Sequence, residues 1–546
     1  MSTPHDQGSP DGDGPDARLL AAAREWLEDD PDPETRAELA TLIADDHDEL
    51  RRRFADRLQF GTAGLRGAVC AGPMGMNRVT VQRATAGFAR YLLDTVPDAA
   101  ARGVVIGHDA RRNSDVFALD TARVLAGMGI RALVLPPLAP TPVTAFSVTL
   151  LGAAGGVMVT ASHNPPADNG YKVYLADGAQ ITPPHDEAIA WRIDAVVRVR
   201  DLVLGKPDDP LIERLDHAPL DAYLAHVPTA RFVQELHDVV VAYTPMHGVG
   251  GETLLAAFAA AGFAPPSIVA EQFEPDGTFP TVAFPNPEEP GAMDLLLATA
   301  ERVGADIAMA NDPDADRLGA AIPMPDGRWR ALRGDEIGWL LADHVLSHTS
   351  GDDRLVVTTL VSSSLLADLA AVYGVHSAEA ATGFKWIARA ALERPDLRLV
   401  FGYEQALGYL VGNRPLDKDG ITAAVTMAEV AALAKRDGVT LQDRLDALAA
   451  RFGRHVTVER SVRLEPAAAA AAMARLRAEP PTSLAGVAVL DVQDVPMAGL
   501  LRLTCAGGTR VQVRPSGTEP KVKLYGEAIG SDPTPLLDDL ATRLLG

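Results

Sequence analysis

Apolar strands alternate with helical stretches along most of the chain. Residues 103–129, 238–262 and 354–374 each show an apolar run, a polar turn and then a segment of helical periodicity. Strands alternating with helices indicate α/β layers, so these three units predict three related α/β domains. Residues 19–59 carry charged and apolar positions at helical spacing and are predicted to be helical.

The C-terminal segment has a different pattern. It begins with a strand-like run, continues with a helix that starts at Pro466, and then offers three more strand candidates before a final helix from about Thr534. Strands outnumber helices, which predicts a smaller α+β domain joined near Gly453. The predicted boundaries are 19–215, 216–328, 329–453 and 454–546, preceded by a disordered Gly-, Pro- and Asp-rich tail over 1–18.

Composition narrows the class of protein. The 546 residues are 47% hydrophobic and 23% charged, with only two cysteines and a formal charge of −23. No apolar run approaches the ~20 residues that span a bilayer, and the N-terminus lacks signal-peptide features, so we expect a cytoplasmic protein without membrane contact. The acidic charge argues against nucleic-acid binding. An anionic substrate would require a local cluster of Arg and Lys.

The stretch VTASHNPPADNGYKVY, residues 159–174, places polar groups between two predicted strands. Pro165 and Pro166 exclude a helix there, so Ser162 lies on a rigid loop at a strand end. That position suits a nucleophile or a ligand group. An ordinary turn of Asn, Ser and Pro is the alternative reading.

A second loop, AMANDPDADRLGA, carries Asp312, Asp314 and Asp316 at alternate positions, followed by Arg317. Alternate side chains of an extended segment point the same way, and three convergent carboxylates bind a hard cation such as Mg²⁺ or Ca²⁺. The arginine fits a phosphoryl group beside that cation. A solvated acidic turn is the alternative.

A third stretch, RVQVRPSGTEPKVKLY, is predicted to be two strands joined by a turn (the phosphate hairpin, residues 510–525). Backbone N–H groups, two hydroxyls and two cations converge there, as a phosphate dianion requires. The groups concerned are Arg514, Ser516, Gly517, Thr518 and Lys521. A plain hairpin without a ligand is the alternative.

Two weaker signals accompany these loops. In FGYEQALGY (the sugar loop, residues 401–409), a predicted strand leads Glu404 and Gln405 into a turn, where a carboxylate and an amide can bind sugar hydroxyls. A helix cap region is an equal alternative. In ATGFKWIAR, Lys385 is predicted to lie in a turn, and such a lysine alone is usually solvated.

Taken together and in this order, the motifs resemble those of the α-D-phosphohexomutase superfamily, the phosphoglucomutases and phosphomannomutases. TASHNP is similar to the family's phosphoserine loop, DPDADR to its metal loop, GYEQALGY to its sugar-binding loop and RPSGTEPK to its phosphate-binding loop. The resemblance runs from about Phe60 to the C-terminus. It implies three α/β domains with mixed sheets and a smaller C-terminal α+β domain around a central cleft.

The resemblance also implies roles for single residues. Ser162 would carry a phosphoryl group and bind one Mg²⁺ per chain together with the three aspartates, and Arg317 would stabilise the transferred group. Arg66 and Lys172 are candidates for proton transfer or charge stabilisation, and Lys172 would need a lowered pKa for proton transfer. His163 directly follows Ser162, so in extended chain its side chain points elsewhere, and we do not assign it as the general base from the sequence. The implied substrate-binding set is His163, Asn164, Lys385, Glu404, Gln405, Arg514, Ser516, Gly517, Thr518 and Lys521.

The implied reaction interconverts hexose 1-phosphate and hexose 6-phosphate of glucose or mannose through a bisphosphorylated sugar, which also serves as activator. The expected partner is a small sugar phosphate, bound by a monomer or homodimer. One departure from the family matters: its sugar loop usually has two glutamates and often a serine, whereas this chain has Glu404, Gln405 and Ala406. The alternatives are therefore a phosphopentomutase or a sugar-bisphosphate synthase on the same scaffold. A phosphosugar-binding regulator and a phosphatase using Ser162 are more distant alternatives.

Overall fold

The structure, a computed structural model, describes residues 15–62, 64–516 and 520–545. The chain starts with three helices, α1 (Pro15–Asp29), α2 (Pro33–Asp45) and α3 (His47–Arg53). They pack on the first domain through a small core that includes Trp26, Leu39 and Val79. Because α1 begins at Pro15, the last four residues of the predicted tail are helical. The remainder of that tail, 1–14, lies outside the described residues.

The first domain is a six-stranded mixed sheet with helices around it. The strand order is β1-β5-β4-β2-β3-β6, with β1 and β5 antiparallel to their neighbours. Every residue of β4 is buried, as expected for a strand covered on both faces. The elements are β1 (Leu65–Ala68), α4 (Arg78–Thr95), α5 (Ala99–Arg102), β2 (Val104–His108), α6 (Ser114–Gly127), β3 (Ala132–Val134), α7 (Thr141–Leu150), β4 (Gly155–Val159), β5 (Asp168–Leu175), α8 (His185–Asp194) and β6 (Ile212–Arg214).

The second domain repeats the plan with five strands in the order β11-β10-β9-β7-β8. Strands β7, β8 and β9 are parallel, while β10 and β11 form an antiparallel hairpin. The predicted boundary at 328 divides this hairpin, so the sheet extends to Ala331. The elements are α9 (Ala218–His226), β7 (Val241–Thr244), α10 (Gly250–Ala260), β8 (Ser267–Ile268), α11 (Asp294–Val303), β9 (Ile307–Ala310), β10 (Gly319–Pro323) and β11 (Trp329–Ala331).

The third domain has four strands in the order β13-β12-β14-β15, of which only β15 is antiparallel. Its helix α15 is capped by Asp419, whose carboxylate accepts the free backbone N–H groups of Ile421 and Thr422. The elements are α12 (Gly334–His348), β12 (Arg354–Thr359), α13 (Leu365–Val372), β13 (His376–Ala380), α14 (Phe384–Leu392), β14 (Arg398–Glu404), β15 (Gly408–Val411), α15 (Gly420–Arg436) and α16 (Leu441–Phe452).

The C-terminal domain is an antiparallel sheet covered by two helices, which confirms the predicted α+β layout. Its strand order is β16-β21-β20-β19-β18-β17. The elements are β16 (His455–Arg463), α17 (Pro466–Ala478), β17 (Ser483–Leu484), β18 (Val487–Val495), β19 (Leu500–Cys505), β20 (Arg510–Pro515), β21 (Lys521–Ile529) and α18 (Thr534–Leu545).

Packing ties the second and third domains together. One core cluster runs through both, from Val241 and Phe258 to Tyr403 and Leu448, and it also takes in Phe146 of α7 from the first domain. The first and last domains have further cores of their own. In the described part of the chain, no helix is long and apolar enough to cross a membrane. The expectation of three mixed α/β sheets and one smaller α+β domain is confirmed.

Candidate active site

The loop with Ser162 (the Ser162 loop, residues 160–168) leaves the carboxyl end of β4. Ser162 is buried and adopts a left-handed backbone conformation, with φ of 52°. Its N–H donates to Thr160 Oγ1 at 2.9 Å, and that hydroxyl donates to Asp109 Oδ2 at 2.7 Å. The strained turn at Ser162 is therefore held by Thr160 of the same loop and, through that hydroxyl, by Asp109, which follows β2.

Arg111, which follows β2, clamps the same loop. Its Nη2 donates to the carbonyls of Ser162 and Asn164 at 2.6 and 2.5 Å, and its Nη1 donates to those of Pro165 and Asp168 at 2.7 and 3.0 Å. A planar guanidinium is suited to several carbonyls at once, because its donors have a fixed geometry. The position of the Ser162 hydroxyl thus depends on a buried arginine.

The acidic loop (residues 312–317) reaches Ser162 from the second domain. Asp312 follows the carboxyl end of β9, and its Oδ2 accepts a hydrogen bond from Ser162 Oγ at 2.7 Å. Asp312, Asp314 and Asp316 are fully buried and each offers an oxygen within 4.8 Å of the others. The structure therefore brings the serine and all three aspartates to one point.

Two lysines lie against the aspartates. Lys172 Nζ donates to Asp314 Oδ2 and to Asp316 Oδ2, both at 2.7 Å, and Lys418 Nζ lies 3.3 Å from Asp316 Oδ2. Burial alone would lower the pKa of Lys172, but the two carboxylates raise it above its ordinary value. Proton transfer by Lys172 would need a lowered pKa, and the raised pKa does not meet that condition, because the ammonium donates to two carboxylates.

The aspartates retain free oxygen atoms for a cation. Oδ1 of Asp314 and Oδ1 of Asp316 are buried and have no hydrogen-bond partner among the described residues. A buried carboxylate oxygen without a partner is costly unless a ligand contacts it. Burial and the two neighbouring carboxylates raise the pKa of Asp312, a repulsion that a divalent ion would relieve. The donor set fits a hard cation such as Mg²⁺.

His163 lies beside the reactive hydroxyl, contrary to the sequence expectation. Its Nδ1 is 3.2 Å from Ser162 Oγ. The expectation assumed extended backbone, whereas the left-handed turn at Ser162 brings the next side chain back toward it. Burial, together with Arg317 and Arg66, lowers the pKa of His163 well below its usual range, so the imidazole is neutral near pH 7.

Arg66 and Asn164 complete this side of the site. Arg66 lies on β1, directly beside β5 that carries Lys172, and its Nη1 donates to Asn164 Oδ1 at 3.0 Å. Arg317, on the other side, has its Nε 3.9 Å from Asp312 Oδ2 and its Nη1 3.8 Å from Glu288 Oε2. Arginine groups thus flank the Ser162 hydroxyl from two domains.

The sugar loop is the hairpin that joins β14 to β15, which excludes the helix-cap alternative. It lies beside the acidic loop, since the N–H of Leu318, the residue that follows that loop, donates to the Leu407 carbonyl at 3.0 Å. Glu404 is buried at the end of β14, and Gln405 Oε1 accepts from Ser362 Oγ at 3.0 Å.

Lys385 lies in the first turn of α14, not in a turn between elements, and its ammonium donates to Thr62 Oγ1. Burial lowers the pKa of Lys385 to about 8.

The phosphate hairpin joins β20 to β21 as predicted. Arg514 lies on β20, Ser516 follows that strand, and Lys521 begins β21. Arg514 Nε is buried without a hydrogen-bond partner among the described residues, which suits an anion-binding role. Gly517 and Thr518 lie outside the described residues. Among the described residues, Arg514 makes no hydrogen bond to Ser162.

Sequence reasoning missed two cations, Arg111 and Lys418. Arg111 lies in the turn after a predicted strand, and Lys418 lies between two aspartates in DKDGITAA. Both positions follow strand-like runs, a signal that marks the ligand-binding edge of an α/β sheet. Neither residue type is distinctive by itself, because surface turns often contain Arg and Lys.

Comparison with known proteins gives the same architecture. The models of phosphoglucomutase/phosphomannomutase match as alpha/beta/alpha domain I over 57–198, domain II over 221–324 and domain III over 333–452, with the C-terminal domain over 460–540. A probable phosphomannomutase of Haemophilus influenzae is 43% identical, covering 84% of this chain and 94% of that protein.

Two further relatives extend the comparison. A phosphopentomutase of Homo sapiens is 34% identical, covering 97% of this chain and 95% of its own. The solved structure of a phosphoglucomutase/phosphomannomutase family protein from Burkholderia thailandensis superposes with a TM-score of 0.69 at 22% identity. That likeness covers 89% of this chain and 96% of the other, and it supports the fold.

Proposed function

The chain belongs to the phosphoglucomutase/phosphomannomutase family and is an intramolecular phosphotransferase, and we propose that it interconverts hexose 1-phosphate and hexose 6-phosphate of glucose or mannose. The observation that carries the proposal is the hydrogen bond of 2.7 Å between Ser162 Oγ and Asp312 Oδ2. It joins a candidate phosphoryl carrier to a candidate cation site across two domains.

In the proposed first half-reaction, phosphorylated Ser162 donates its phosphoryl group to the free hydroxyl of the sugar phosphate. The phosphorus–Oγ bond breaks as the bond to the sugar oxygen forms. Mg²⁺, when held by Asp312, Asp314 and Asp316, supplies positive charge that stabilises the negative charge left on Oγ. Arg317 and Lys172 stay charged and stabilise the oxygens of the transferred group.

The proton of the sugar hydroxyl needs an acceptor. His163 Nδ1 lies within hydrogen-bonding reach of Ser162 Oγ, and its lowered pKa keeps the imidazole neutral, so that one ring nitrogen carries no proton. Lys172 is less suited, because its raised pKa keeps the ammonium charged. We therefore assign proton transfer to His163, with Arg66 fixing Asn164 and the adjoining loop.

The second half-reaction requires the bisphosphorylated sugar to turn over within the site. Its other phosphate then returns to Ser162, and a sugar bisphosphate added from solution serves as activator by phosphorylating Ser162. The distant phosphate is proposed to bind the phosphate hairpin, while Glu404, Gln405 and Lys385 bind the sugar. The buried donor of Arg514 supports this assignment.

A phosphopentomutase, or a sugar-bisphosphate synthase on the same scaffold, is the second candidate. It is supported by Gln405 and Ala406, which replace the family's usual acidic and hydroxyl groups, and by the similarity to human phosphopentomutase. The phosphoryl chemistry would be the same, and only the sugar would differ.

A substrate panel tests the proposal. Glucose 1-phosphate, mannose 1-phosphate and ribose 1-phosphate are compared by kcat/KM in the presence of Mg²⁺ and a sugar bisphosphate. Conversion of a hexose phosphate at least about tenfold more efficient than that of ribose 1-phosphate supports the hexose assignment, a difference of roughly 1.4 kcal/mol in transition-state binding. The reverse order supports the pentomutase. Release of inorganic phosphate without isomerisation would contradict both.

A further inference from the structure

A buried chain of hydrogen bonds leads from the C-terminal sheet toward the sugar loop. It starts at Glu527, a buried residue of β21. Glu527 Oε1 accepts from Ser363 Oγ at 2.6 Å and from the Ser364 N–H at 2.9 Å. Both serines belong to the triple-serine segment (residues 362–364), which follows β12 of the third domain. A single carboxylate thus holds a loop of the neighbouring domain.

Arg510 contacts the same segment from the adjacent strand. It lies opposite Glu527 in the register of β20 and β21, and its Nη2 donates to Glu527 Oε2 at 2.7 Å and to the Ser362 carbonyl at 2.5 Å. Burial alone would raise the pKa of Glu527, but His455, Arg510 and the serine donors lower it to about 2. Glu527 is therefore a permanent acceptor, and the direction of each hydrogen bond is fixed.

The segment in turn holds Gln405 at two points. Ser362 Oγ donates to Gln405 Oε1 at 3.0 Å, and the Gln405 N–H donates to Ser362 Oγ at 3.1 Å. Thr359 Oγ1 lies 3.3 Å from the same amide oxygen. Because the oxygen of the Gln405 amide accepts from hydroxyls of its own domain, the group left for a ligand is its NH₂ donor.

We infer that Glu527 and Arg510 are positioning residues. Through the triple-serine segment, they hold the side-chain amide of Gln405 in its observed orientation. This inference rests on the proposed function, in which Gln405 binds the sugar. The C-terminal domain then contributes to sugar recognition in two ways. It supplies the phosphate hairpin directly, and it fixes the orientation of a sugar-binding amide on another domain.

A cavity beside the sugar loop leaves space for that loop to move when the Glu527 contacts are removed. Gln405, Arg510 and Glu527 line a cavity of about 340 Å³ between the second, third and C-terminal domains. A side chain at the wall of such a cavity has alternative positions available, unlike one packed on all sides. Loss of the Glu527 contacts is therefore expected to change the sugar loop without expanding the core.

Another contact across the same boundary supplies a matched control. Arg333 Nη1 donates to the Thr457 carbonyl of the C-terminal domain at 3.0 Å, and among the described residues its side chain makes no hydrogen bond to the triple-serine segment or to Gln405. R333Q removes an interdomain hydrogen bond of the same kind. An effect specific to E527Q and S363A, absent from R333Q, separates positioning of Gln405 from general loosening of the boundary.

Hydrogen–deuterium exchange tests the physical link independently of the reaction. In E527Q and in S363A we expect backbone amides of residues 403–409 to exchange about tenfold faster than in the wild type, because the hydrogen bond to Gln405 opens more readily. R333Q should match the wild type. Unchanged exchange over 403–409 in both variants overturns the inference. S363A removes only one hydroxyl, so its exchange over 403–409 tests the inference if E527Q does not fold.

Kinetics then tests the consequence for the sugar. E527Q should raise KM for the sugar phosphate about fivefold with little change in kcat, as expected when a uniform binding contact is weakened. In a Q405A background, E527Q should have no further effect on KM, whereas an equal effect in both backgrounds contradicts the inference. If the wild type converts no sugar phosphate, the proposed function fails, and the exchange result alone decides the positioning.

Discussion

Ser162 Oγ donates a hydrogen bond to Asp312 Oδ2 over 2.7 Å, although the two residues are 150 positions apart in the chain. Both follow the carboxyl end of a strand that has one parallel neighbour, β4 beside β2 in the first domain and β9 beside β7 in the second. Ligands of open α/β sheets bind at such ends. The contact therefore joins the ligand-binding edges of two sheets into one site.

The first prediction concerns the acidic triad. Mg²⁺ should stabilise the wild-type protein, because an ion that binds only the folded state adds about 2.7 kcal/mol at a hundredfold excess over its Kd. D314N removes one charged ligand and should abolish most of this shift in Tm. D326N, an exposed aspartate paired with Arg328, is the control and should retain it. An undiminished shift in D314N would argue against the assigned metal ligands.

The second prediction concerns Lys172, which neutralises Asp314 and Asp316. K172M should lower the free energy of unfolding by about 3–5 kcal/mol without metal, because it leaves the buried Asp314 without its cation and Asp316 with Lys418 alone. Saturating Mg²⁺ should recover part of that loss. K435M is the matched control: Lys435 also contacts two aspartates but is exposed, so the cost should be within about 1 kcal/mol. Chemical denaturation with and without Mg²⁺ measures both.

The third prediction concerns Arg111. R111K cannot reproduce four hydrogen bonds from a rigid fork, so the Ser162 loop should shift and kcat should fall about a hundredfold. The neighbouring R112K is the control, since the Arg112 side chain is exposed and pairs only with Glu34 among the described residues. Steady-state kinetics measures kcat of R111K and R112K, and circular dichroism checks that both variants are folded. Equal kcat values in the two variants would rule out the clamp.

The fourth prediction concerns pH. With its pKa lowered to about 8, Lys385 is charged below pH 8 and loses its charge as the pH rises through that value. If it binds the sugar phosphate, KM should rise about tenfold between pH 7.5 and roughly 9.5, the loss expected for a charge-assisted hydrogen bond. K385R stays charged over this range and should show a flat KM. A rise of equal size in K385R would assign the titration to another group.

The sequence predicted those parts of the site that depend on strand ends. Ser162 and the three aspartates follow apolar runs that form β4 and β9, so their position at the ligand-binding ends of two sheets was foreseeable. The charge state of Lys172 was not foreseeable from the sequence, because it depends on two carboxylates from another domain. Arg111 and Lys418 were missed for the same reason, since their importance arises from tertiary contacts.

Local geometry accounts for the remaining errors. His163 was expected to point away from the serine, an inference valid only for extended chain, and the left-handed turn at Ser162 reverses it. The sequence gives no sign of a left-handed turn at position 162, because serine rarely adopts a positive φ. Lys385 was placed in a turn, although helix α14 starts one residue before it. Helix boundaries are set by caps and packing, which short motifs do not reveal.

The most direct test of the central claim is to locate the phosphoryl group. The purified enzyme is incubated with Mg²⁺ and a sugar bisphosphate, and intact mass and peptide mapping are recorded before and after addition of sugar monophosphate. We predict one phosphate on Ser162 of the wild type, transferred to the added sugar, and none on S162A, which should be inactive. Full turnover by S162A, or a transferable phosphate on another residue, would contradict the account.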